Sequence, residues 1–567
     1  MTGGIGVLRR WSDEPMWFGW TRAEWLFYAL VVGVAVVMRF AGLGDRAFHH
    51  DEAIHAKESY DMINGKQYRY DPAYHGPLLY FANALLFHFL GSSEVLARVI
   101  PAAFGVGAVI AVALFRWELG RAGTVIAMLA IATSTTFVYY SRFIRNDIYV
   151  AFFTIVLVAA VVRYIGWPRK RWIYVAWISL GLSLATKENT FIHGFALAVV
   201  ILVLGGVAMG YNWRRQSSLG GGAQVSKAIQ EFSRDIEHVV YGALVFLGIV
   251  FVFYTSFFTY LPGFRDAFTR SIEYWTEVHG SERVNQPWFY YAMYLAVYEP
   301  FAIVFGAVAM FRIRMVRNPL PVVLAVWILV TWIIYSAAGE KAPWLVLHVL
   351  WPPILIASWW MGGWFDGRRP ITPRVCVGIL GGGFLVWSLW FAIPINYERG
   401  DVPNDLVVYV QSSSDVVEVA EVVNEAAVRS GKGLGLRVVV DEEFAWPIVW
   451  YLRDYTNVGY GKAPSLEDVQ VADIALLTLA DADEFGIQLP EFVGRQMVLR
   501  GWFPESAYKS WDATFLSRFL GDAVARETFG RWLLTREVTP VPTGSFDFVM
   551  YVRTNLLEAG PMGRFQL

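Results

Sequence analysis

The chain has 567 residues, of which 56% are hydrophobic, 16% aromatic and 17% charged, with a formal net charge of −1. Soluble globular chains carry roughly 25% charged residues, so this composition excludes a disordered chain, a fibrous chain and an ordinary cytosolic enzyme. It points to a polytopic membrane protein, and the 25 Trp, 28 Tyr and 40 Phe suit many membrane–water boundaries.

Lys and Arg are scattered in short clusters and form no extended basic face, so no nucleic-acid partner is expected. The one cysteine, Cys376, excludes an intrachain disulfide, Cys-based zinc sites and iron–sulfur clusters. It lies in an apolar run and reads as packing. The N-terminal stretch MTGGIGVLRRWSDEPMWFGWTR is followed by no small-residue cleavage site, so the first apolar run reads as a retained helix.

A span needs about 20 mostly apolar residues. Residues 24–42 supply the first, followed by 96–115, 122–140, 148–165, 172–186, 191–210, 239–259, 288–311, 320–337, 344–361 and 375–395. That makes about eleven spans. With a cytoplasmic N-terminus, the clusters Arg9, Arg10 and Arg22; Arg116 and Arg121; Arg163, Arg169, Lys170 and Arg171; Arg214 and Arg215; Arg312, Arg314 and Arg317; and Arg368, Arg369 and Arg374 all fall inside. Residues 43–95, the turn 141–147, the loops around Lys187 and Lys341, the segment 260–287 and everything from about 396 are then extracytoplasmic. PLLYFANALLFHFLG (77–91) is too short to span and reads as an interfacial or re-entrant helix on the outer surface. Residues 212–238 form the longest cytoplasmic loop, and their Gly/Ser part reads as flexible linker.

From residue 396 the pattern changes. Short apolar strands, DLVVYVQ (405–411), LRVVVDEE, ADIALLTLA (472–480) and FDFVMYVRT (546–553), alternate with helical stretches such as SDVVEVAEVVNEAAVRSG. The expected organisation is therefore a helical membrane domain over 1–395, with loop 43–95 carrying an acidic motif, and an extracytoplasmic α/β domain over 396–567. Gly431, Gly433 and Gly435 come before a strand, the wrong context for a dinucleotide loop.

The chemistry-bearing residues concentrate at outer helix ends. Asp51 and Glu52 follow the first span among His49, His50 and His55. Adjacent acids at a bilayer are costly to desolvate without partners or a task. H-E-x-x-H is absent, and Glu52 with His55 makes only one E-x-x-H where a di-iron bundle needs two. Arg142, Arg145 and Asp147 occupy the turn in YYSRFIRNDIYVAFF, Lys187 and Glu188 stand in LATKENTFIH, and Glu340 and Lys341 stand in SAAGEKAPWLVLH. Each alone suits an ordinary polar loop. Together, acids and bases from four outer loops suit one membrane-surface site.

These segments resemble a known superfamily. HHDEAIHAKESYDMINGKQYRYDPAYHGPLLYF looks like the D-E-x-x-x-A…G…Y…PL-x-Y pattern of GT-C glycosyltransferases, which include the protein O-mannosyltransferases and the aminoarabinose transferases of lipid A. SRFIRNDIYVAFF is similar to their A-R-x-x-x-x-D-x-x-L-x-F-F segment and ATKENTFIH to their T-K-G stretch. H-D-E-A-x-H (His50 to His55), G-E-K-x-P-W (Gly339 to Trp344) and W-P-x-x-W-Y-L-R (Trp446 to Arg453) resemble the prokaryotic flippase-activity-associated membrane proteins most closely. The resemblance covers about residues 24–455, and TKEN departs from T-K-G.

The resemblance implies a GT-C fold in the cell membrane, with its active face extracytoplasmic. It implies a polyprenyl-phosphate sugar donor and a protein, glycan or lipid acceptor. The family's two loop acids map onto Asp51 and Asp147. Deprotonating an acceptor hydroxyl and stabilising phosphate charge is the chemistry required. Asp51 is the expected base, with inversion at the anomeric carbon. Asp147 and Glu52 are expected to assist, and His50, His55, Arg142, Arg145, Lys187, Glu340 and Lys341 to bind substrate. A divalent cation, Mn²⁺ or Mg²⁺, on Asp51 and Asp147 is an option the resemblance leaves open. The alternative is a non-catalytic participant in lipid-linked glycan flipping or a glycan-assembly scaffold.

Overall fold

The structure is a computed structural model. It describes residues 19–214, 220–279, 284, 286–313, 319–367, 370–509, 511, 514–536 and 541–557. Arg9, Arg10, Arg215, Arg314, Arg317, Arg368, Arg369 and the linker residues 217–219 lie outside the described residues. The chain divides into two compact units. The first comprises Met1–Leu43, Gln67–Gly91 and Val95–Asn396; the second comprises Gly44–Lys66, Ser92–Glu94 and Tyr397–Leu567.

The first unit is helical, and each of the eleven expected segments is found in helix. By length and composition, eight described helices can cross a membrane, or nine when the bent pair Tyr290–Tyr298 and Pro300–Phe311 is one span. Two features account for the rest. Glu94–Thr133 is one apolar run of 40 residues, about 60 Å at 1.5 Å per residue, twice the hydrocarbon thickness. Its backbone leaves the helical region at Gly120 (φ 79°, ψ 177°), a conformation open to glycine, which divides the run. Lys170–Leu184 has 15 residues, short for a span.

Local sequence explains several ends and breaks. Thr21 caps Arg22–Phe40 in a capping box with Glu24, and the buried Glu24 also pairs with Arg116. The bent pair turns by 113° at Glu299. Pro300 has no N–H to continue the ladder, and the buried Glu299 carboxylate accepts from Ser134 Oγ (2.6 Å) and the Thr136 amide (3.0 Å). Leu78–Leu90 is a 13-residue apolar helix, shorter than a span. Helix Gly220–Arg234 corrects the linker expectation, because the glycines from 220 onward are helical. Cys376, expected in packing, is exposed.

The second unit holds a six-stranded sheet in the order β1-β5-β6-β4-β2-β3, with β1 411–412, β2 438–441, β3 458–461, β4 474–477, β5 492–502 and β6 544–553. β2 runs parallel to β3 and β4, and the remaining pairs are antiparallel. Side chains alternate faces along a strand. Val438 and Val440 face the core with Val416, Val423 and Phe548, while Val439 packs on the other side with Leu477 and Val469. Both faces are covered, so β2 and β4 are buried throughout. The expected strand 405–411 shrinks to β1. β3 and the 11-residue β5 were not expected.

Outside the sheet, buried Asp405 accepts from Arg536 Nε (2.8 Å) and Arg399 Nε (3.1 Å). Removing one partner from a buried pair strands the other charge. Asp405→Ala is therefore expected to destabilise this unit by about 3–5 kcal/mol, read as a lower thermal transition of the full chain in nanodiscs. An unchanged transition would show that the pair contributes nothing.

Candidate functional site

Asp147 is the second residue of helix Asn146–Gly166 and has no exposed surface. A carboxylate removed from water needs partners. Lys187, in the turn between Lys170–Leu184 and the helix starting at Thr190, donates to both its oxygens at 3.0 Å. His348 Nε2, near the start of helix Val346–Phe365, lies 3.1 Å from Oδ1. Asn189 Nδ2 lies 2.9 Å from the same ring nitrogen. Arg145 Nε is 3.6 Å from Oδ2, and its guanidinium lies 3.4 Å from the Trp344 ring centroid. Asn146 Nδ2 donates to the Thr186 carbonyl (2.7 Å), tying the helix start to the Lys187 turn.

Three helices thus begin around one carboxylate: Asn146–Gly166, Thr190–Arg214 and Val346–Phe365. Helix N-termini carry partial positive charge. Lys187 and Arg145 set two cations beside the Asp147 anion, and the Glu340 carboxylate also acts on Lys187. Lys341, on the same loop as Trp344, is buried and donates from Nζ to the Ala338 carbonyl (2.7 Å). Burial holds its ammonium below the ordinary lysine range. Glu340 beside it is half-buried. Arg142 is buried and donates to the carbonyls of Arg39 (3.2 Å), Ala41, Gly42 (2.7 Å) and Asn396 (3.4 Å), which gathers the end of the first span.

Trp344 closes the G-E-K-x-P-W motif, whereas His348 and Asn189 were not singled out in the sequence. His193, stacked on Trp327 and 5.0 Å from the His348 ring, was also missed. Their only sequence signal is a polar residue within an apolar run. A second group sits on the other side of the Lys187 turn. The buried Glu188 accepts from Tyr70 Oη (2.7 Å), and its other oxygen lies 3.0 Å from His75 Nδ1. Tyr70 Oη also lies 2.6 Å from Ser271 Oγ. The Gly76 and Leu78 amides donate to the Thr186 and Ala185 carbonyls at 3.0 and 2.9 Å.

Asp51, Glu52, His50 and His55 belong to the second unit, on helix His50–Ile63. His49 is the N-cap, and Glu52 closes a capping box by accepting the His49 amide at 3.1 Å. Glu52 and His55 are buried, whereas the Asp51 side chain keeps 28% exposure. His50 is half-buried beside Trp446. No three His, Cys, Asp or Glu side chains group to hold a metal among the described residues. The surroundings of Asp147 do not fit a divalent cation, because Lys187 and Arg145 already face its carboxylate.

Residues 73–265 match a family model described as dolichyl-phosphate-mannose-protein mannosyltransferase. Comparison with curated proteins gives no match. Among solved structures, ArnT from Cupriavidus metallidurans bound to undecaprenyl phosphate aligns at a TM-score of 0.57 and 15% identity, covering 84% of this chain and 96% of ArnT. The apo state of the same ArnT aligns at 0.55 and 14% identity, covering 95% and 100%. The chain shares its fold with ArnT. The Asp147 cluster brings together residues as far as 201 positions apart in sequence.

The close approach at Gly76 gives a test. A Cβ there would lie 2.4 Å from the Ala185 carbonyl oxygen and 2.7 Å from its carbon, both backbone atoms. Gly76→Ala is expected to cost about 1–3 kcal/mol and to speed hydrogen exchange across residues 185–189. Exchange identical to the wild type would refute the tie between this loop and the Lys187 turn.

Proposed function

We propose that the chain is a membrane glycosyltransferase that moves a sugar from a polyprenyl-phosphate-linked donor to an acceptor hydroxyl at the outer membrane face. The observation that carries this reading is the convergence of three helix N-termini with Lys187, Arg145 and one buried carboxylate. That arrangement suits a lipid-linked phosphate. The GT-C fold and the match over residues 73–265 support the same reading.

A sugar phosphate already carries a good leaving group, so the protein's tasks are to hold phosphate charge and to activate the acceptor hydroxyl. Arg145 and Lys341 bind the departing phosphate. Lys187 adds to the positive field while Asp147 fixes its position. Asp51 removes the acceptor proton as general base. Its oxygens gain that proton as the acceptor oxygen attacks the anomeric carbon and the bond to phosphate breaks. One in-line displacement inverts the anomeric centre. The second unit, extracytoplasmic on the charge pattern, carries this base on helix His50–Ile63.

The reading is tested on full-length protein in lipid nanodiscs with undecaprenyl-phosphate-linked mannose and related sugars, following release or transfer, with and without Mn²⁺ or Mg²⁺. Asp51→Asn is expected to lower kcat by about 10²–10⁴-fold. Donor binding with no turnover in the wild type, across a panel of acceptors, would sink the transferase reading.

Two further outcomes follow from the cations. Arg145→Lys loses the planar stack on Trp344 and should raise donor KM about tenfold; an unchanged KM would remove Arg145 from the phosphate site. The Lys341 cation is present below its pKa and lost as pH rises through it. Donor KM should therefore rise with pH below the ordinary lysine value of about 10.4. Lys341→Arg, charged throughout, should abolish that rise. A limb that persists in Lys341→Arg belongs to another group.

A further inference from the structure

Three consecutive residues before helix His50–Ile63 are tied to the later chain of the second unit. The Ala47 carbonyl accepts from Gln411 Nε2 at 3.0 Å. The Phe48 amide donates to Tyr451 Oη at 2.9 Å. His49 Nε2 lies 3.2 Å from the Tyr409 carbonyl oxygen. The opposite ring nitrogen, His49 Nδ1, accepts the Asp51 backbone amide at 3.0 Å.

These contacts fix the tautomer. Nδ1 faces an N–H and carries no proton, while Nε2 faces a carbonyl and therefore donates to it. The ring is 5% exposed. Histidine is an unusual N-cap. Ser, Thr, Asp and Asn are preferred and satisfy the first-turn amides equally well. What those shorter side chains lack is a second polar atom on the far side, within reach of another carbonyl. Imidazole has one.

A second feature lies at the other end of this bridge. Val410, whose amide belongs to the same peptide as the Tyr409 carbonyl, has φ +51°. A β-branched residue in the left-handed region is strained. Its neighbour Gln411 opens β1, which pairs with β5 at Gln411–Gly501. The carbonyl that receives His49 is thus presented by a strained residue anchored at a strand start.

We propose that His49 is a positioning residue for Asp51, its imidazole bridging the Tyr409 carbonyl and the Asp51 amide so that the sheet of the second unit sets where the base stands. The inference rests on Asp51 being the base of the proposed transfer. Glu52, closing the capping box from the fourth position, holds the same turn from its other side. The tail of the chain then does more than cover the acidic motif. It supplies the fixed point from which the first turn of that helix is built.

The test separates the two ends of the bridge. Asn is among the best N-caps and its side-chain oxygen can replace Nδ1, but it is too short to reach Tyr409. His49→Asn should keep the thermal transition of the full chain and leave donor KM unchanged. It should lower kcat roughly tenfold to a hundredfold, the cost of a misplaced reacting group. His49→Ala, which loses both ends, should fall at least as far. The assay uses undecaprenyl-phosphate-linked mannose in nanodiscs, with Asp51→Asn measured in parallel. Wild-type kcat in His49→Asn, with Asp51→Asn inactive, overturns the positioning role and leaves the base in place. Wild-type turnover in Asp51→Asn overturns the base and the positioning role together.

Discussion

The Asp147 carboxylate has no exposed surface, and that constraint organises the membrane unit. A charge so placed is tolerated only with ion pairs and hydrogen bonds of good geometry. Here the partners come from Arg145 beside it, Lys187 in a second turn and His348 on a third helix. Satisfying one side chain therefore fixes the starts of three helices. Lys187 and Arg145 face this carboxylate where three helices start, so the same contacts that bury the acid gather cations and helix-dipole charge at one place.

Much of the fold was legible because hydrophobic length is a direct consequence of the bilayer. All eleven expected segments are helical, and the difficult ones failed for physical reasons: a glycine break at 120, a 15-residue helix and a proline after Glu299. The tail was harder. β5 carries Arg495, Arg500 and two glycines and shows little alternation, so its pairing with β6 rather than its own pattern makes it a strand. DLVVYVQ looked extended, but Val407 and Val408 are buried in a turn-rich stretch, and only its end joins the sheet.

The site was legible in part. Ionisable residues at membrane helix ends drew attention to Asp147, Lys187, Arg145 and Lys341, and the structure brings the first three within hydrogen-bonding or ion-pair distances. Charge alone does not distinguish an arginine that, like Arg145, faces a buried carboxylate from one that, like Arg142, gathers carbonyls at a helix end. His348 was hidden because one polar residue in WLVLHVLW does not disturb an apolar run. The acidic motif was read as part of a loop of the membrane domain. Its helix instead belongs to the unit formed by the tail, joined through Tyr451, Tyr409 and Gln411, residues some 360 to 400 positions away. Contacts at that separation leave no local signature.

The TKEN segment shows how the fold absorbs a departure from the pattern it resembles. Glycine in T-K-G makes no demand on its surroundings, whereas Glu188 places a second buried carboxylate beside Lys187. The two neighbours point to different partners. Lys187 turns to Asp147, and Glu188 turns to Tyr70 and His75. The loop that supplies Tyr70 and His75 is itself tied to the carbonyls of Ala185 and Thr186, at a glycine with no room for a Cβ. The extra acid is thus hydrogen-bonded within the segment that docks on its own turn. Lys187 is not drawn away from Asp147.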